Sequence, residues 1–335
     1  MEKDCCVQEC YMKKIGIVTC WVGKLPNFFP LWLRSCAENP TVDWLLFSDQ
    51  RIDNLPKNVH LHSSSLADIY ALIRKNLETD KAILPHAYKL CDYKVMYGDI
   101  FKDYLNEYDF WGYCDIDLIF GDIRSFLTDD LLVSFEKILP MGHLSIYQNN
   151  PKTRANYKLS GSVHDWETVI SNPRNYAFDE WHGIYRIYKE NNLAMYDEMP
   201  FADISWLNER FSLRRRSNKK YKAPAPDHHY QLFFWENGRV LRAYLDQDNC
   251  VKSDQFLYIH LIKRKFPPLT DEVLNADAFY CTPKGFMPKK TGILSTKKDM
   301  RKMNPYYGKI YEKIEYKIRQ KIAKQKDRQT FVSSH

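Results

Sequence analysis

Two aspartates with the spacing of a divalent-cation site follow an aromatic stretch of this chain. Residues 108–114 read YDFWGYC and lead directly into Asp115 and Asp117. In an extended segment, residues two positions apart point to the same side, so both carboxylates can face one ligand. Carboxylate oxygens suit Mg²⁺ or Mn²⁺, and either ion neutralises a diphosphate. The alternative is a solvated turn with two capping aspartates; we favour the metal site because an apolar strand delivers the acids.

The elements that must position these acids can be predicted from the hydrophobic pattern. Apolar runs over 14–21, 43–47 and 59–62 predict strands, and the stretches 28–36 and 66–77 predict helices. Strands that alternate with helices predict a mostly parallel sheet with crossover helices. Ligands bind at the carboxyl ends of the strands in such sheets, which is where the two acids fall.

The rest of the chain continues this α/β pattern. Aromatic and apolar residues at helical spacing predict one long helix over 88–105. A strand is expected over 143–147, and the sequence Glu236-Asn237-Gly238 predicts a hairpin between strands 230–235 and 239–245. A last strand is predicted over 256–262.

The strand that ends on Asp115-Ile116-Asp117 resembles the DxD motif of nucleotide-sugar-dependent glycosyltransferases with the GT-A fold. The run IVTCW at 17–21 and the run KLCDYK at 89–94 are similar to segments of the same family. More narrowly, the chain resembles enzymes of bacterial capsule and surface-polysaccharide gene clusters over residues 13–265. The resemblance implies a GT-A-like (Rossmann-like) α/β fold with a mostly parallel sheet flanked by helices.

The resemblance also implies a reaction and a set of ligands. The reaction is transfer of a hexose from a UDP-linked donor, such as UDP-galactose or UDP-glucose, to a lipid-linked bacterial polysaccharide intermediate. Mn²⁺ or Mg²⁺ would be held by Asp115, Asp117 and His260. The donor would contact Thr19, Trp21, Lys89, Asp92, Lys94, Asp115 and Lys263. The alternatives are a core histidine at position 260 and a solvated basic turn around position 263.

Activation of the acceptor is assigned to acids in the second half of the chain. Asp179 and Glu180 lie among aromatic residues in the run YAFDEWHG, a composition suited to stacking on a sugar and taking a hydroxyl proton. Asp203 is the rival candidate for this catalytic role. Asp179 and Glu180 would alternatively be acids at a helix N-terminus. The sequence leaves open whether the transfer inverts or retains configuration.

The charge is concentrated in the C-terminal tail. The chain carries +7, whereas twelve basic and four acidic residues give the stretch from Lys297 to Arg328 a net charge of +8. Ile310, Ile314, Ile318 and Ile322 recur every fourth residue there, which predicts a basic amphipathic helix over 301–328. One hypothesis is docking on an anionic membrane surface, and the other is that the stripe packs on the body. Nucleic-acid binding is not expected, because no recognised motif supports it.

Composition sets the domain organisation and the expected location. We expect an N-terminal extension over 1–12, a catalytic domain over 13–268 with donor half 13–125 and acceptor half 126–268, and a C-terminal segment over 269–335. Nine scattered cysteines without a CxxC pair predict reduced thiols. With no secretory or membrane-spanning signal, the expected location is cytoplasmic, peripheral on the inner face of a bacterial plasma membrane.

Two other classes of function compete with sugar transfer. A metal-dependent phosphoesterase would use the same acids, although a two-metal site needs more ligands than the motif offers. A non-catalytic protein on the same fold would bind a membrane surface or a glycan.

Overall fold

A computed structural model describes residues 12–214, 225–262, 264–308, 310–311 and 313–321. Strands and helices are numbered along the chain. The strands of the described residues are β1 (Ile15–Trp21), β2 (Val42–Ser48), β3 (Val59–Ser63), β4 (Phe110–Cys114), β5 (Leu118–Phe120), β6 (Lys137–Ile138), β7 (Leu144–Gln148), β8 (Met195–Tyr196), β9 (Ala202–Asp203), β10 (Gln231–Glu236), β11 (Arg239–Leu245), β12 (Val251–Phe256), β13 (Tyr258–His260), β14 (Ala278–Thr282) and β15 (Gly285–Lys289). The helices are α1 (Phe29–Ala37), α2 (Leu66–Leu77), α3 (Leu90–Tyr93), α4 (Tyr97–Ile100), α5 (Asp129–Ser134), α6 (Pro151–Arg154), α7 (Trp166–Ser171), α8 (Ile184–Glu190), α9 (Asp271–Leu274) and α10 (Lys297–Met303).

The largest sheet has seven strands in the order β3-β2-β1-β4-β7-β6-β8. The pairs β3–β2, β2–β1, β1–β4 and β6–β8 are parallel, and β7 is antiparallel to both of its neighbours. Helices flank the sheet, so the predicted α/β class with a mostly parallel sheet is confirmed. Such sheets bury both faces. In β2, Trp44 and Leu46 pack into one core, whereas Leu45 and Phe47 pack into the other.

A glycine in the middle of β4 allows the close approach of β7. A Cβ atom on Gly112 would lie 2.6 Å from the carbonyl oxygen of Ser145. Any other residue would therefore push the two strands apart. Asp115 lies directly beyond the end of this strand, so the close pairing also fixes where that acid emerges from the sheet.

Two smaller sheets complete the molecule. The strands β12-β11-β10-β14-β15 form an antiparallel sheet, and its β10–β11 hairpin confirms the predicted hairpin. Asn237 and Gly238 have φ of 50° and 69°, as a tight hairpin turn requires. The strands β5-β13-β9 form a three-stranded sheet. The strand predicted over 256–262 is interrupted after Phe256, the last residue of β12, and only Tyr258–His260 of the rest forms a strand, β13.

The predicted long helix over 88–105 does not form as one element. Short α-helices α3 and α4 alternate with 3₁₀ turns at Ala87–Lys89, Lys94–Met96 and Lys102–Tyr104. The prediction was wrong because most of this segment is buried on every side, polar residues included, so it has no single apolar face. The irregular winding turns two lysines, Lys89 and Lys94, into the interior.

The C-terminal elements belong to the body of the protein. Strand β14 pairs with β10, and Met300 of α10 is buried against Leu232 and Phe234. Asn304 donates to the carbonyl oxygens of Phe211 and Gln231 at 2.9 and 3.0 Å. The predicted boundary at residue 268 therefore cuts across one packed unit.

The basic helix predicted over 301–328 is interrupted: α10 ends at Met303, residues 304–308 are not helical, and the described residues 310–311 and 313–321 are helical. Ile310, Ile314 and Ile318 are 77%, 54% and 53% exposed, so these three isoleucines do not pack on the body. The extension over 1–11 and Ile322 lie outside the described residues. No helix in the described part of the chain is long and apolar enough to span a bilayer.

Candidate active site

The two aspartates of the motif lie in a bend between β4 and β5, and not on one continuous strand. The amide of Asp115 donates to the carbonyl oxygen of His143 at 2.9 Å, and the carbonyl oxygen of Asp117 accepts from the amide of Leu261 at 3.0 Å. Backbone hydrogen bonds thus hold the bend from two sides.

His260 reaches this bend from the three-stranded sheet. In the register of β13, His260 is opposite Leu118 of β5 on one side and opposite Asp203 of β9 on the other. Its Nε2 lies 3.5 Å from Oδ1 of Asp117, and its Nδ1 lies 3.0 Å from Oδ1 of Asp203. Nδ1 therefore carries the hydrogen, because a carboxylate only accepts, and Nε2 is directed at the motif.

The geometry fits a divalent cation. Asp115, Asp117 and His260 each offer a ligand atom, and these atoms lie within 4.8 Å of one another. The contact to Oδ1 of Asp117 is at the outer limit of a hydrogen bond, and the described residues form no shorter one to that buried oxygen. The two carboxylates are each 30% exposed, whereas His260 is 5% exposed. Two oxygens and an imidazole open to solvent on one side are a ligand set suited to Mn²⁺ or Mg²⁺.

The charges of this cluster are coupled. Burial lowers the pKa of His260, but Asp117 and Asp203 outweigh burial and raise it to about 10. Burial raises the pKa of Asp117, and the neighbouring His260 outweighs it, so that the net shift is downward. A positive centre between Asp117 and Asp203 thus stabilises both carboxylates.

Lys94 connects the motif to the acids of the second half. Its Nζ donates to Oδ1 of Asp115 at 2.5 Å, to the carbonyl oxygen of Gly142 at 3.0 Å and to Oδ2 of Asp179 at 3.1 Å. A Cβ on Gly142 would lie 2.4 Å from the Asp179 carboxylate, so a side chain there would displace it. Burial and Asp115 raise the pKa of Asp179, and the charge of Lys94 opposes them.

A cavity of about 240 Å³ adjoins Asp115 and Lys94. Aromatic and apolar side chains surround its two charged groups, which is the usual composition of a small-molecule site. It is lined by Cys20, Trp21, Val22, Ala87, Tyr88, Leu90, Cys91, Lys94, Tyr97, Cys114, Asp115 and Ile116. Of the predicted donor contacts, Trp21, Lys94 and Asp115 therefore line one cavity.

Three other predicted donor contacts are turned away from this cavity. Thr19 is buried, and its hydroxyl lies 3.0 Å from Sγ of Cys114. Lys89 is wholly buried and donates to Asp92 and to the carbonyl oxygens of Val169 and Arg174. Because Thr19 and Lys89 are buried, neither side chain is accessible to a donor in the cavity. Lys263 lies outside the described residues.

The pair Lys89–Asp92 instead positions the segment that carries Asp179. The carboxylate of Asp92 accepts from the amides of Tyr176 and Phe178. Both charges of the pair are fully buried and compensate each other at 2.8 Å. They act on the site by holding this segment in place.

The three candidate bases have different surroundings. Asp179 is buried against Lys94, beside the motif. Glu180 is half-buried, and its negative charge favours the charged form of the nearby Lys137. Asp203 is buried with His260 and lies 3.8 Å from Arg214. Asp203 thus contacts the Nδ1 edge of His260, which is turned away from the motif, and this is not where a base for the acceptor is expected.

His143, Tyr258 and Gly142 are site residues that the sequence did not single out. The rings of His143 and His260 are 4.2 Å apart, and Oη of Tyr258 lies 2.8 Å from Nδ1 of His143. The only signal was the placement of residues 143 and 258 in predicted strands; no spacing rule connects them.

The comparisons with known proteins bear on family and fold. A model described as "Family of unknown function (DUF6625)" matches residues 17–290. The chain belongs to this family. A search of curated proteins finds no match to the DUF6625 chain.

Solved structures with similar architecture include glycosyltransferases. The galactosyltransferase LgtC in complex with donor and acceptor sugar analogues is 10% identical, with a TM-score of 0.37 over 56% of this chain and 75% of that one. Mouse xyloside xylosyltransferase 1 in its apo form is 9% identical, with a TM-score of 0.37 over 58% of this chain and 88% of that one.

Proposed function

We propose that this protein is a metal-dependent glycosyltransferase that uses a nucleotide diphosphate sugar. The observation that carries the proposal is the convergence of Asp115, Asp117 and His260 beside a cavity that also holds Lys94. A cation site at the carboxyl end of a parallel strand, open on one side, suits a diphosphate leaving group.

In the reaction, the bond between the sugar C1 and the diphosphate oxygen breaks, and its electron pair leaves with the nucleoside diphosphate. The acceptor hydroxyl oxygen forms the new bond to C1, and its proton passes to a base or to the departing phosphate. A divalent cation held by Asp115, Asp117 and His260 would supply the charge stabilisation that the leaving diphosphate needs. Lys263 remains our candidate for a second cation at the diphosphate.

The residues of the chain divide the remaining work. Trp21 and the apolar wall of the cavity would hold the nucleotide. Lys94 binds Asp115 and Asp179 side by side, and their remaining oxygens would accept hydrogen bonds from hydroxyls of the transferred hexose. Asp179 or Glu180 would bind or deprotonate the acceptor. We propose a UDP-hexose, galactose or glucose, as donor.

The C-terminal helix supports a location at an anionic membrane. Its Glu315 accepts from the amide of Glu209 at 2.6 Å, and its Arg319 pairs with Glu209 at 3.2 Å. These contacts use one side of the helix, while the isoleucine stripe faces away from the body. Lys313, Lys317 and Lys321 are exposed beside that stripe. An apolar stripe bordered by lysines suits the surface of an anionic bilayer.

This location agrees with a lipid-linked glycan as acceptor. We therefore propose a peripheral protein on the inner face of a bacterial plasma membrane, with the site supplied by cytoplasmic nucleotide sugar and membrane-bound acceptor.

The test is incubation of the full chain with a panel of nucleotide sugars and Mn²⁺. We expect slow release of nucleoside diphosphate and free sugar from one donor, with Asp117→Ala as the inactive control. Release of inorganic phosphate instead would favour a phosphoesterase. No turnover of any donor, with Mn²⁺ bound, would favour a non-catalytic protein.

A further inference from the structure

Two buried residues outside the motif approach His260 from different sides. Asp203 contacts the Nδ1 edge of the imidazole at 3.0 Å. His143 lies against the face of the same ring, with 4.2 Å between ring centroids and 31° between ring planes. All three side chains are buried.

The contact with Asp203 fixes which nitrogen of His260 faces the motif. Because the carboxylate accepts the hydrogen of Nδ1, Nε2 is the nitrogen left to bind a cation, and it lies 3.5 Å from Asp117. If the contact were absent, the ring could rotate by about 180° about its Cβ–Cγ bond or carry its hydrogen on Nε2. Either change removes a ligand from the motif.

The contact with His143 restricts the plane of the ring. His143 is itself held by Tyr258, at 2.8 Å from its Nδ1, and Tyr258 stacks on Phe201. The backbone of His143 also binds Asp115, whose amide donates to its carbonyl oxygen. One residue therefore touches two of the three ligand-bearing residues.

We infer that Asp203 and His143 are positioning residues that preset His260 for a divalent cation. The inference rests on the proposed function, since it takes the cluster of Asp115, Asp117 and His260 as the cation site. It reassigns Asp203, which is a candidate base by sequence, to support of a ligand. Donation of a hydrogen bond from a metal-binding imidazole to a carboxylate is a general means of fixing the orientation of the ring.

The same residues allow one other arrangement. Ligand atoms of His143, Asp203 and His260 also lie within 4.8 Å of one another. A cation bound among them would make Asp203 and His143 ligands in their own right, and it would give a second site per chain or replace the first.

The experiment measures Mn²⁺ binding to the full chain by isothermal titration calorimetry, without any sugar substrate. We expect one ion per chain, and a loss of affinity of about 10- to 100-fold in Asp203→Ala. Asp203→Asn keeps the shape of the side chain, so its loss of Mn²⁺ affinity should be smaller. If Asp203→Ala fails to fold, the Mn²⁺ affinity of Asp203→Asn is the test of the inference. His143→Phe retains a ring and should bind more tightly than His143→Ala. The matched control is Asp197→Asn, an acid outside the cluster.

A second measurement uses the metal-free protein. The hydrogen on Nδ1 of His260 should give a downfield, slowly exchanging proton signal in the wild type, as expected for a hydrogen bond to Asp203, and it should lose both features in Asp203→Ala. Affinities within twofold of the wild type in both Asp203 variants, with an unchanged Nδ1 proton signal, would overturn the inference, and so would two ions per chain. If the wild type binds no Mn²⁺, the metal site of the proposed function fails, and the Nδ1 proton signal alone decides whether Asp203 orients His260.

Discussion

The ammonium of Lys94 lies 3.1 Å from the carboxylate of Asp179, although the two residues are 85 positions apart. The same ammonium binds Asp115 at 2.5 Å. Lys94 thus joins Asp115 of the motif to Asp179 in the second half of the chain, and it is only 8% exposed. A partly exposed and a buried carboxylate can lie close together here because a buried ammonium group stands between them.

Replacing Lys94 with Met should therefore cost both stability and activity. Loss of the ammonium leaves Asp115 and Asp179 facing each other without compensation, at a cost of about 3–5 kcal/mol in the free energy of unfolding. Urea denaturation measures this, and the deficit should shrink at low pH as Asp179, whose pKa is already raised, becomes protonated. Lys152→Met, which removes an exposed pair with Glu136, should change stability by less than about 1 kcal/mol. Equal losses of stability in Lys94→Met and Lys152→Met would contradict the role of Lys94 as the cation that compensates Asp115 and Asp179.

Substitutions in the motif should separate catalysis from folding. Asp117→Ala and Asp115→Ala should each lower donor turnover by about a thousandfold or more, because several kcal/mol of charge stabilisation is lost. Asp117→Ala should lower the thermal midpoint only modestly, since the carboxylate is 30% exposed and no core volume is removed, although the contact with His260 is lost. The control is Asp122→Ala in the turn after β5, where the side chain accepts from the amide of Ser125 and lies outside the motif. Wild-type turnover in both motif variants would disprove the site.

Kinetics can distinguish the three candidate bases, Asp179, Glu180 and Asp203. The test is whether substitution of each acid changes kcat or changes the binding of donor and Mn²⁺. A true base should lose about 10²–10⁴ in kcat with little change in donor KM. We expect this of Asp179→Asn or Glu180→Gln, whereas Asp203→Asn should change the Mn²⁺ concentration needed for activity. Steady-state kinetics at several Mn²⁺ concentrations make the comparison. Normal kcat in the first two variants and a loss only in Asp203→Asn would show that Asp203 is the base.

The local sequence pattern was sufficient to predict the parallel sheet and the position of the motif. The alternation of apolar runs with helical spacing located β1 to β4 and α1 and α2, and Asp115 and Asp117 follow β4 as expected. Long-range contacts were beyond it. Lys89 and Asp92 have the residue types of ligands, but they are buried because 87–104 packs on 166–178, which no local spacing encodes. Thr19 is buried where β1 lies beside Cys114 of β4. His143 becomes a site residue only when β7 pairs with β4.

A buried lysine should give the folding stability a distinct pH dependence. Burial lowers the pKa of Lys137 from 10.5 to about 7, with Glu180 and Asp179 offsetting part of the shift. Between these values the unfolded chain binds the proton that the folded protein has released. Stability should therefore rise with pH from about 7 to 10, by up to about 1.4 kcal/mol per pH unit. Urea denaturation across this range should show the rise in the wild type and its loss in Lys137→Met. Lys57→Met at an exposed position is the control; a rise retained in Lys137→Met would assign it to another group.

The last prediction concerns the exposed stripe of the C-terminal helix. A cut after Thr296 would remove Met300 and Asn304, both buried in the body, so the informative truncation ends at Gly308. The full chain should bind vesicles of anionic phospholipid at low salt, and the truncated chain should not, while donor hydrolysis remains. Each lysine near the surface contributes about 1 kcal/mol, screened beyond about 8 Å at physiological salt, so added salt should release the protein. Replacing Ile310, Ile314 and Ile318 with Ser keeps the charge and should weaken binding; zwitterionic vesicles are the lipid control. Failure of the intact chain to bind anionic vesicles at low salt would contradict membrane docking. The stripe would then bind another partner, because three of its isoleucines are exposed and do not pack on the body.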